Sequence, residues 1–212
     1  MNLLAIDCSN QNLSVALATP QGIHSQHHSV KQGHSDHALA AIHQLLSDNG
    51  VSLAQLDAIL FGQGPGAFTG LRIAAGIAMG LATAAGLPVI GIPTLDAIAR
   101  SLPQGSGLAV IDARMGEVYA AHYLHGQCHG EISVVKAEQV QLDGITAVAG
   151  DAVNLLPPHD LPACHVVPQA SDYIALYREN PARYPASMSA ELLYVRNKIA
   201  LTASEQREQK RG

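Results

Sequence analysis

The sequence contains no tryptophan and few other aromatic residues, which together make up only 4% of its 212 residues. We therefore expect a core of small and aliphatic side chains. Charged residues are also scarce, at 14%, which is low for a free monomer and indicates that another protein covers part of the surface. The net charge is −5 and the 12 Lys and Arg residues are scattered. The chain thus lacks the basic stripe with which a protein grips nucleic acid by itself.

The cysteines are few and widely spaced. Cys8, Cys128 and Cys164 form no Cys-x-x-Cys pair, which is typical of a reducing compartment rather than of a disulfide framework. The N-terminus reaches Asp7 too soon to resemble a signal peptide. The longest apolar stretch, Leu71 to Leu87, has the length of a membrane span, but its arginine and glycines favour a buried helix. We expect a cytoplasmic protein that has no membrane partner.

The first half of the chain alternates strand and helix patterns. Apolar runs separated by turn residues predict strands over Leu3–Asp7, Leu13–Thr19 and Ile23–Val30. Helical spacing of leucines and isoleucines predicts a helix over Asp36–Asn49. A strand, a long apolar helix, a second strand and a short helix follow before residue 102.

The same pattern then occurs a second time. A shift of 105 residues places Asp112 on Asp7 and a second strand hairpin on the first. This predicts an α/β fold of two lobes with a duplicated βββα unit, the second lobe being reduced. The predicted lobes span residues 1–102 and 103–194, and residues 195–212 form a segment that returns to the first lobe and ends in a disordered tail. Within the second lobe we expect a strand in "ITAVAGDAV" and helices in "DYIALYREN" and "SAELLYVRNKIA".

Asp7 and Asp112 are the first candidates for chemistry. An aspartate at the carboxyl end of a central strand can face nucleotide phosphates or hold a metal-bound water. The alternative is turn chemistry, in which the side chain accepts backbone N–H groups. Neither aspartate is followed by the glycines that a phosphate cradle needs. We interpret the pair as vestigial phosphate-side residues, with both explanations open.

A glycine-rich loop, "GPGAFTG", precedes the long apolar helix. It has no lysine at the position where phosphate-binding loops carry one, and it fits the dinucleotide pattern only weakly. We predict a structural loop in which the glycines permit a tight turn and a threonine caps the helix. Its members are Gly64, Pro65, Gly66, Thr69 and Gly70.

The long helix is apolar on nearly all sides, which implies that it is buried on more than one side. Gly76 and Gly80 are four residues apart and share a face, although each costs about 1 kcal/mol relative to alanine. Such glycines favour the close approach of another helix. The predicted partner interface, formed with the helix Asp36–Asn49, comprises Leu39, Ile42, Leu46, Arg72, Ala75, Gly76, Met79, Gly80 and Thr83.

Several segments together resemble the TsaB (YeaZ) family. They are "LLAIDCS", "LSVALA", "QGHSDHAL", "LDAILFGQGPGAFTGLRIAAGIAMGLA", "LPVIGIPTLDAIA", "VIDARMGEVYAA" and "YVRN". The resemblance implies an actin-like, ribonuclease-H-like fold of the ASKHA group. It also implies a role in forming N6-threonylcarbamoyladenosine at position 37 of tRNAs that read codons beginning with A.

The resemblance also implies partners. The family binds the related transferase TsaD, works with the ATPase TsaE through that complex, and meets tRNA indirectly. From the two-helix face itself we also predict a homodimer through the same helical face when TsaD is absent. No cofactor is expected for the chain alone, and ATP or ADP only in the complex.

The paralogue TsaD carries a metal-binding His-x-x-x-His, and the matching positions here are Thr94 and Ile98. Neither residue is a ligand for iron or zinc. We therefore expect no bound metal and no catalytic residue, and interpret the chain as a pseudo-enzyme. The alternative is an ASKHA-type ATPase or kinase, or a metallopeptidase-like hydrolase, that acts on its own.

Overall fold

The structure is a computed structural model that describes residues 1–29 and 34–195. The first sheet has the order β3-β2-β1-β4-β5, and the second, read from its hairpin edge, has the order β8-β7-β6-β9-β10. The strands are β1 (Leu3–Asp7), β2 (Asn12–Thr19), β3 (Gly22–Ser29), β4 (Ala58–Gly64), β5 (Val89–Pro93), β6 (Ser106–Arg114), β7 (Glu117–Leu124), β8 (Gln127–Lys136), β9 (Ala147–Gly150) and β10 (Ala163–Cys164). The helices are α1 (His34–Asp48), α2 (Phe68–Ala85), α3 (Thr94–Ala99) and α4 (Ala170–Glu179). The two sheets share one topology, which confirms the predicted α/β fold and its duplication.

The second lobe is reduced at its connections. In the first lobe, α1 joins β3 to β4 and α2 joins β4 to β5. At the equivalent places the second lobe has only single 3-10 turns, Ala137–Gln139 between β8 and β9 and Val153–Leu155 between β9 and β10. Both faces of the first sheet are covered by helices, whereas the second sheet has little helical cover of its own.

The first sheet has a core on each face. Its central strand β1 is buried throughout, as expected for an apolar run that pairs in parallel with β4. Leu4 and Ile6 pack beneath α1 and α2, and Leu3 and Ala5 pack beneath α4. The alternation of the β1 side chains therefore separates two helical layers.

The lobes exchange helices. Helix α3 follows the last strand of the first sheet but packs mainly on β6 of the second sheet, and α4 follows β10 but packs on β1, β2 and β4 of the first. Tyr173 and Ile174 of α4 are fully buried there. Each sheet thus receives a helix from the other half of the chain, and the cores of both lobes depend on the connection between them.

The chain returns to the first lobe after α4. Ser187 pairs antiparallel with Val89 at the edge of β5, and the N–H of Leu193 donates to the carbonyl of Gln63 at 2.9 Å. The predicted helix "SAELLYVRNKIA" is wrong as far as Val195, since residues 189–195 are not helical and Leu193 bonds to the first sheet instead, and its remainder lies outside the described residues. The lobe boundary at 102/103 stays a prediction, although residues 170–195 lie against the first sheet.

Helix α2 has a composition that membrane spans share. Among the described residues it is the helix long and apolar enough to cross a bilayer. Its flanking strands β4 and β5 pair with each other, and Ala74 and Ala78 are buried in the first core. Gly86, with φ 66°, ends the helix in the left-handed conformation. These features are those of a crossover helix that packs on its own sheet.

Candidate functional site

Asp7 lies at the carboxyl end of β1 and is completely buried. One carboxylate oxygen, Oδ2, accepts a hydrogen bond from the Tyr173 hydroxyl at 2.7 Å. The other, Oδ1, accepts the N–H of Ser9 at 3.1 Å and its hydroxyl at 3.0 Å. Both oxygens of the predicted phosphate-side residue are therefore bound by the protein itself.

Burial also changes the acidity of this carboxyl group. Removal from water raises the pKa of Asp7 to about 6, and the hydrogen bonds from Tyr173 and Ser9 oppose that rise. The adjacent thiol of Cys8 has its pKa raised as well, by burial and by the nearby Asp7 charge. A raised thiol pKa means that Cys8 is protonated and unreactive at neutral pH.

Gly62 makes the Asp7–Tyr173 hydrogen bond sterically feasible. A Cβ at this position of β4 would overlap Oδ2 of Asp7 and lie 2.6 Å from the Tyr173 hydroxyl. Neither Gly62 nor Tyr173 was predicted as a site residue. The available signal was a glycine inside a strand, which often marks the close approach of another group.

The glycine-rich loop packs on the turn that follows Asp7. The N–H of Ala67 donates to the Ser9 carbonyl at 2.7 Å. A Cβ at Gly66 would lie 2.7 Å from the same oxygen, and one at Gly70 would overlap the carbonyl of Cys8. The glycines therefore allow two loops to touch.

The ends of this loop are fixed by neighbouring elements. The Thr94 hydroxyl donates to the Pro65 carbonyl, and Gly64, with φ 112°, approaches the backbone of Leu193. The prediction that Thr69 caps α2 is wrong. The helix begins at Phe68 with Ala67 as its N-cap and no capping side chain, which leaves Thr69 exposed in the first turn.

Asp112 occupies the equivalent place in the second lobe. Like Asp7, it lies near the carboxyl end of the central strand and is followed by a hairpin. Its Oδ1 accepts the N–H of Arg114 at 2.7 Å, and its Oδ2 pairs with the Arg114 guanidinium at 3.0 Å. Its own N–H donates to the carboxylate of Asp151, whose pKa is raised mainly by burial. The topology supports the predicted equivalence, and this second aspartate is also engaged in turn chemistry.

Thr94 and Ile98 lie on α3, between the lobes, and both are buried. Ile98 belongs to an apolar cluster with Leu95 and Ala109. Within the part of the chain that the structure describes, no three His, Cys, Asp or Glu side chains are grouped as metal ligands would be.

A second buried carboxylate, Asp96, joins α3 to other elements. It accepts hydrogen bonds from the hydroxyls of Tyr123, at 2.6 Å, and Tyr184, at 2.9 Å, and it pairs with Arg183 at 2.9 Å. Burial and the neighbouring Asp96 raise the pKa of Tyr123 far above its ordinary value. A cavity of about 380 Å³ lies beside this group and is lined by residues that include Gln63, Cys128, Arg183 and Glu191. Sequence patterns gave no indication of this cluster of Asp96, Tyr123, Arg183 and Tyr184, whose members come from three separate segments.

Helix α2 has one side that the rest of the described chain does not cover. Only a third of its residues are buried, and α1 packs beside it. A Cβ at Gly76 or Gly80 would meet no atom within 4 Å. We call the exposed or half-buried members of the predicted interface the α1–α2 face: Leu39 (52% exposed), Leu46, Arg72, Gly76, Met79, Gly80 and Thr83. Ile42 and Ala75 are buried in the first core, so they support this face from beneath and do not reach its surface.

One charged side chain lies at the N-terminal end of this face. The guanidinium carbon of Arg72 lies 3.6 Å from the centroid of the Phe68 ring. Its Nε donates to the Tyr194 hydroxyl at 3.3 Å. The rings of Phe68 and Tyr194 lie 6.2 Å apart, so aromatic groups from two segments hold one arginine.

Comparisons with known proteins agree on one relationship. A family model described as "TsaD: tRNA N6-adenosine threonylcarbamoyltransferase" matches residues 11–208. The chain is 35% identical over 223 aligned positions to the Escherichia coli tRNA threonylcarbamoyladenosine biosynthesis protein TsaB, with 94% of this chain and 96% of that protein covered. It is 44% identical over 123 positions to the Haemophilus influenzae protein of the same name, covering 56% of this chain and 52% of that protein. The solved structure of YeaZ from Pseudomonas aeruginosa superposes with a TM-score of 0.80 at 32% identity, over 91% of this chain and 99% of that one.

Proposed function

The chain belongs to the TsaB (YeaZ) family of tRNA threonylcarbamoyladenosine biosynthesis proteins, and we propose that it serves this pathway as a non-catalytic subunit that binds and activates TsaD. In this proposal TsaE joins through the complex, and the modified base is adenosine 37 of tRNAs that read codons beginning with A. The setting is the cytoplasm.

The observation that carries the proposal is the open α1–α2 face. It combines a long apolar helix, of which only a third of the residues are fully buried, with two glycines that have free space above them. Apolar surface of this kind is typical of a site covered by another protein. Gly76 and Gly80 allow the backbone of a partner helix to come close, as small residues do in packed helix pairs.

The state of Asp7 supports a role without catalysis. Tyr173 and Ser9 already occupy its carboxylate oxygens, and the glycine-rich loop rests against the carbonyls of Cys8 and Ser9. A phosphate group would have to displace both the tyrosine and the loop before it reached this aspartate. Gly62 leaves the space in which the Tyr173 hydroxyl reaches Asp7.

The residues of α3 support the same conclusion. Thr94 uses its hydroxyl to hold the Pro65 carbonyl, and Ile98 is part of the apolar contact between the lobes. Both side chains are engaged in contacts within the protein. Neither Thr94 nor Ile98 offers a nitrogen, sulfur or carboxylate atom that could bind iron or zinc. The proposal therefore assigns the chemistry to TsaD.

The proposal includes a choice between two assemblies. Because TsaD matches this chain at the level of the family model, a related lobe of TsaD can replace a second copy of the chain on the same face. Two α1–α2 faces would form a four-helix bundle in either case. The homodimer and the heterodimer then exclude each other. With a net charge of −5, the chain leaves most contact with tRNA to the assembly.

The test is a titration of the purified chain with purified TsaD, followed by light scattering on the eluted species. We expect a homodimer of the chain to convert to a complex with one copy of each protein. Separate elution at micromolar concentrations would contradict the proposal. So would ATP turnover by the chain alone that disappears in Asp7→Ala.

A further inference from the structure

Arg72 stands out from the helix that carries it. It is the one charged residue among the 18 residues of α2, and it lies in the second turn. No other ionised side chain of this helix compensates its charge. A lone charge on an otherwise uncharged helix points to a role beyond the stability of the helix.

The side chain is held in place although it is exposed. Phe68 stacks on one face of the guanidinium, and Tyr194 accepts from Nε. Neither contact uses Nη1 or Nη2. Within residues 1–29 and 34–195, no carboxylate lies within 4.0 Å of this guanidinium. The exposed guanidinium thus keeps four N–H groups, on Nη1 and Nη2, that no carboxylate of these described residues engages.

We propose that Arg72 is a specificity contact of the α1–α2 face and takes a carboxylate from the helical face of its protein partner. The inference rests on the function proposed above. A planar guanidinium matches a carboxylate in a bidentate pair, and one that is already oriented loses less conformational freedom on pairing. Gly76, Met79 and Gly80 follow Arg72 along the same face of α2. A partner that covers these uncharged residues would also remove water from the ion pair.

A phosphate of tRNA is the competing ligand class. The surroundings favour the carboxylate, because phosphate binding relies on several cations acting together, whereas α2 offers only one in an otherwise apolar stretch. The net charge of −5 also opposes the approach of RNA to this chain. A partner that buries apolar surface and supplies one acid fits both properties of the face.

The experiment measures the affinity of the folded full-length chain for TsaD at low and high salt, with Arg72→Gln, Arg72→Lys and the matched control Arg178→Gln. Arg178 is exposed on α4, on the opposite side of the first sheet, so its replacement changes the net charge equally. We expect Arg72→Gln to weaken binding by about ten- to a hundredfold, as the loss of a charge-assisted pair does. Arg72→Lys should be intermediate because it lacks the fork, and Arg178→Gln should match the parent.

The salt dependence separates a charge contact from a packing contact. Binding of the parent should weaken between 50 and 500 mM salt, values chosen to span a Debye length from about 14 to 4 Å, and Arg72→Gln should lose much of that dependence. Equal affinity of Arg72→Gln and the parent for TsaD would overturn the inference and leave the proposed function intact. Loss of tRNA binding in Arg72→Gln with unchanged TsaD binding would overturn it in favour of phosphate. If the parent itself did not bind TsaD, both proposals would fail.

Discussion

The two exposed glycines of α2 allow stability and binding to be separated. In Gly76→Ala and Gly80→Ala, the added methyl group meets no atom within 4 Å in the single chain. Both residues lie inside a helix, where alanine is favoured over glycine by about 1 kcal/mol. The free energy of unfolding should therefore rise by about 1 kcal/mol for each substitution.

The same positions should respond in the opposite sense when a partner is bound. If a helix of TsaD approaches closely, a methyl group at Gly76 or Gly80 widens the contact, and Gly80→Leu adds a side chain where no space remains. Overpacking of this kind costs about 1–3 kcal/mol. That range corresponds to a dissociation constant raised about five- to 150-fold.

Two measurements on the same samples test this separation. Urea unfolding gives the stability of each variant, and it is run at several protein concentrations because a homodimer would stabilise the fold by mass action. Calorimetric titration gives the affinity for TsaD. We expect the alanine variants to be more stable and to bind more weakly, and Gly80→Leu to bind most weakly of all. Folded Gly80→Leu that dimerised and bound TsaD as well as the parent would refute the assignment of the face.

Three further substitutions probe the interior of the first lobe. Gly70→Ala should destabilise the chain by at least about 3 kcal/mol, measured by urea unfolding, since its Cβ would overlap the Cys8 carbonyl; a cost under 1 kcal/mol would contradict the loop contact. Tyr173→Phe should cost about 1–3 kcal/mol at neutral pH, because it removes a donor from a buried carboxylate; unchanged unfolding would mean that the hydrogen bond is absent. Asp7 has its folded pKa raised from 3.8 to about 6, so the folded state binds the proton more tightly. Stability should fall by about 3 kcal/mol as the pH rises from 4 to above 6, and the difference between the parent and Asp7→Asn isolates this change; a difference that does not vary with pH would contradict it.

The local elements of the fold could be predicted from the sequence because their signals are local. The hairpins of both lobes carry turn residues between apolar strands, and the repeat of Asp7 as Asp112 revealed the duplication. Helix α2 was predicted from its composition and from the loop before it. In each case the deciding residues lie within a few positions of one another.

The contacts that join the lobes could not be predicted in this way. Tyr173 and Asp7 are 166 positions apart, and no periodicity links them. Residues 189–195 have an apolar spacing that suggests a helix, but the preceding Ser187 pairs with the edge of β5, and Leu193 donates to the carbonyl of Gln63 instead of to a helical partner. In these places tertiary pairing overrides local preference.

The predicted interface shows the same limit on a smaller scale. Helical spacing identified the apolar residues of α1, but one stripe of a helix cannot reveal how far the core extends around it. The structure turns Ile42 toward the sheet and leaves Leu39 exposed. The location of the face stays a prediction, and its membership was too broad, because Ile42 and Ala75 are buried in the core.

The most direct test of the account measures N6-threonylcarbamoyladenosine formed on tRNA in a TsaD reaction that depends on this chain. Two variants are compared at matched concentrations, Asp7→Asn, which alters the buried carboxylate, and Gly80→Leu, which alters the α1–α2 face. The account predicts that Asp7→Asn supports the parent rate, whereas Gly80→Leu supports a reduced rate that recovers as its concentration is raised above its weakened dissociation constant. A folded Asp7→Asn protein that binds TsaD normally but supports no modification, together with a fully active Gly80→Leu, would contradict the claim that this chain acts by docking.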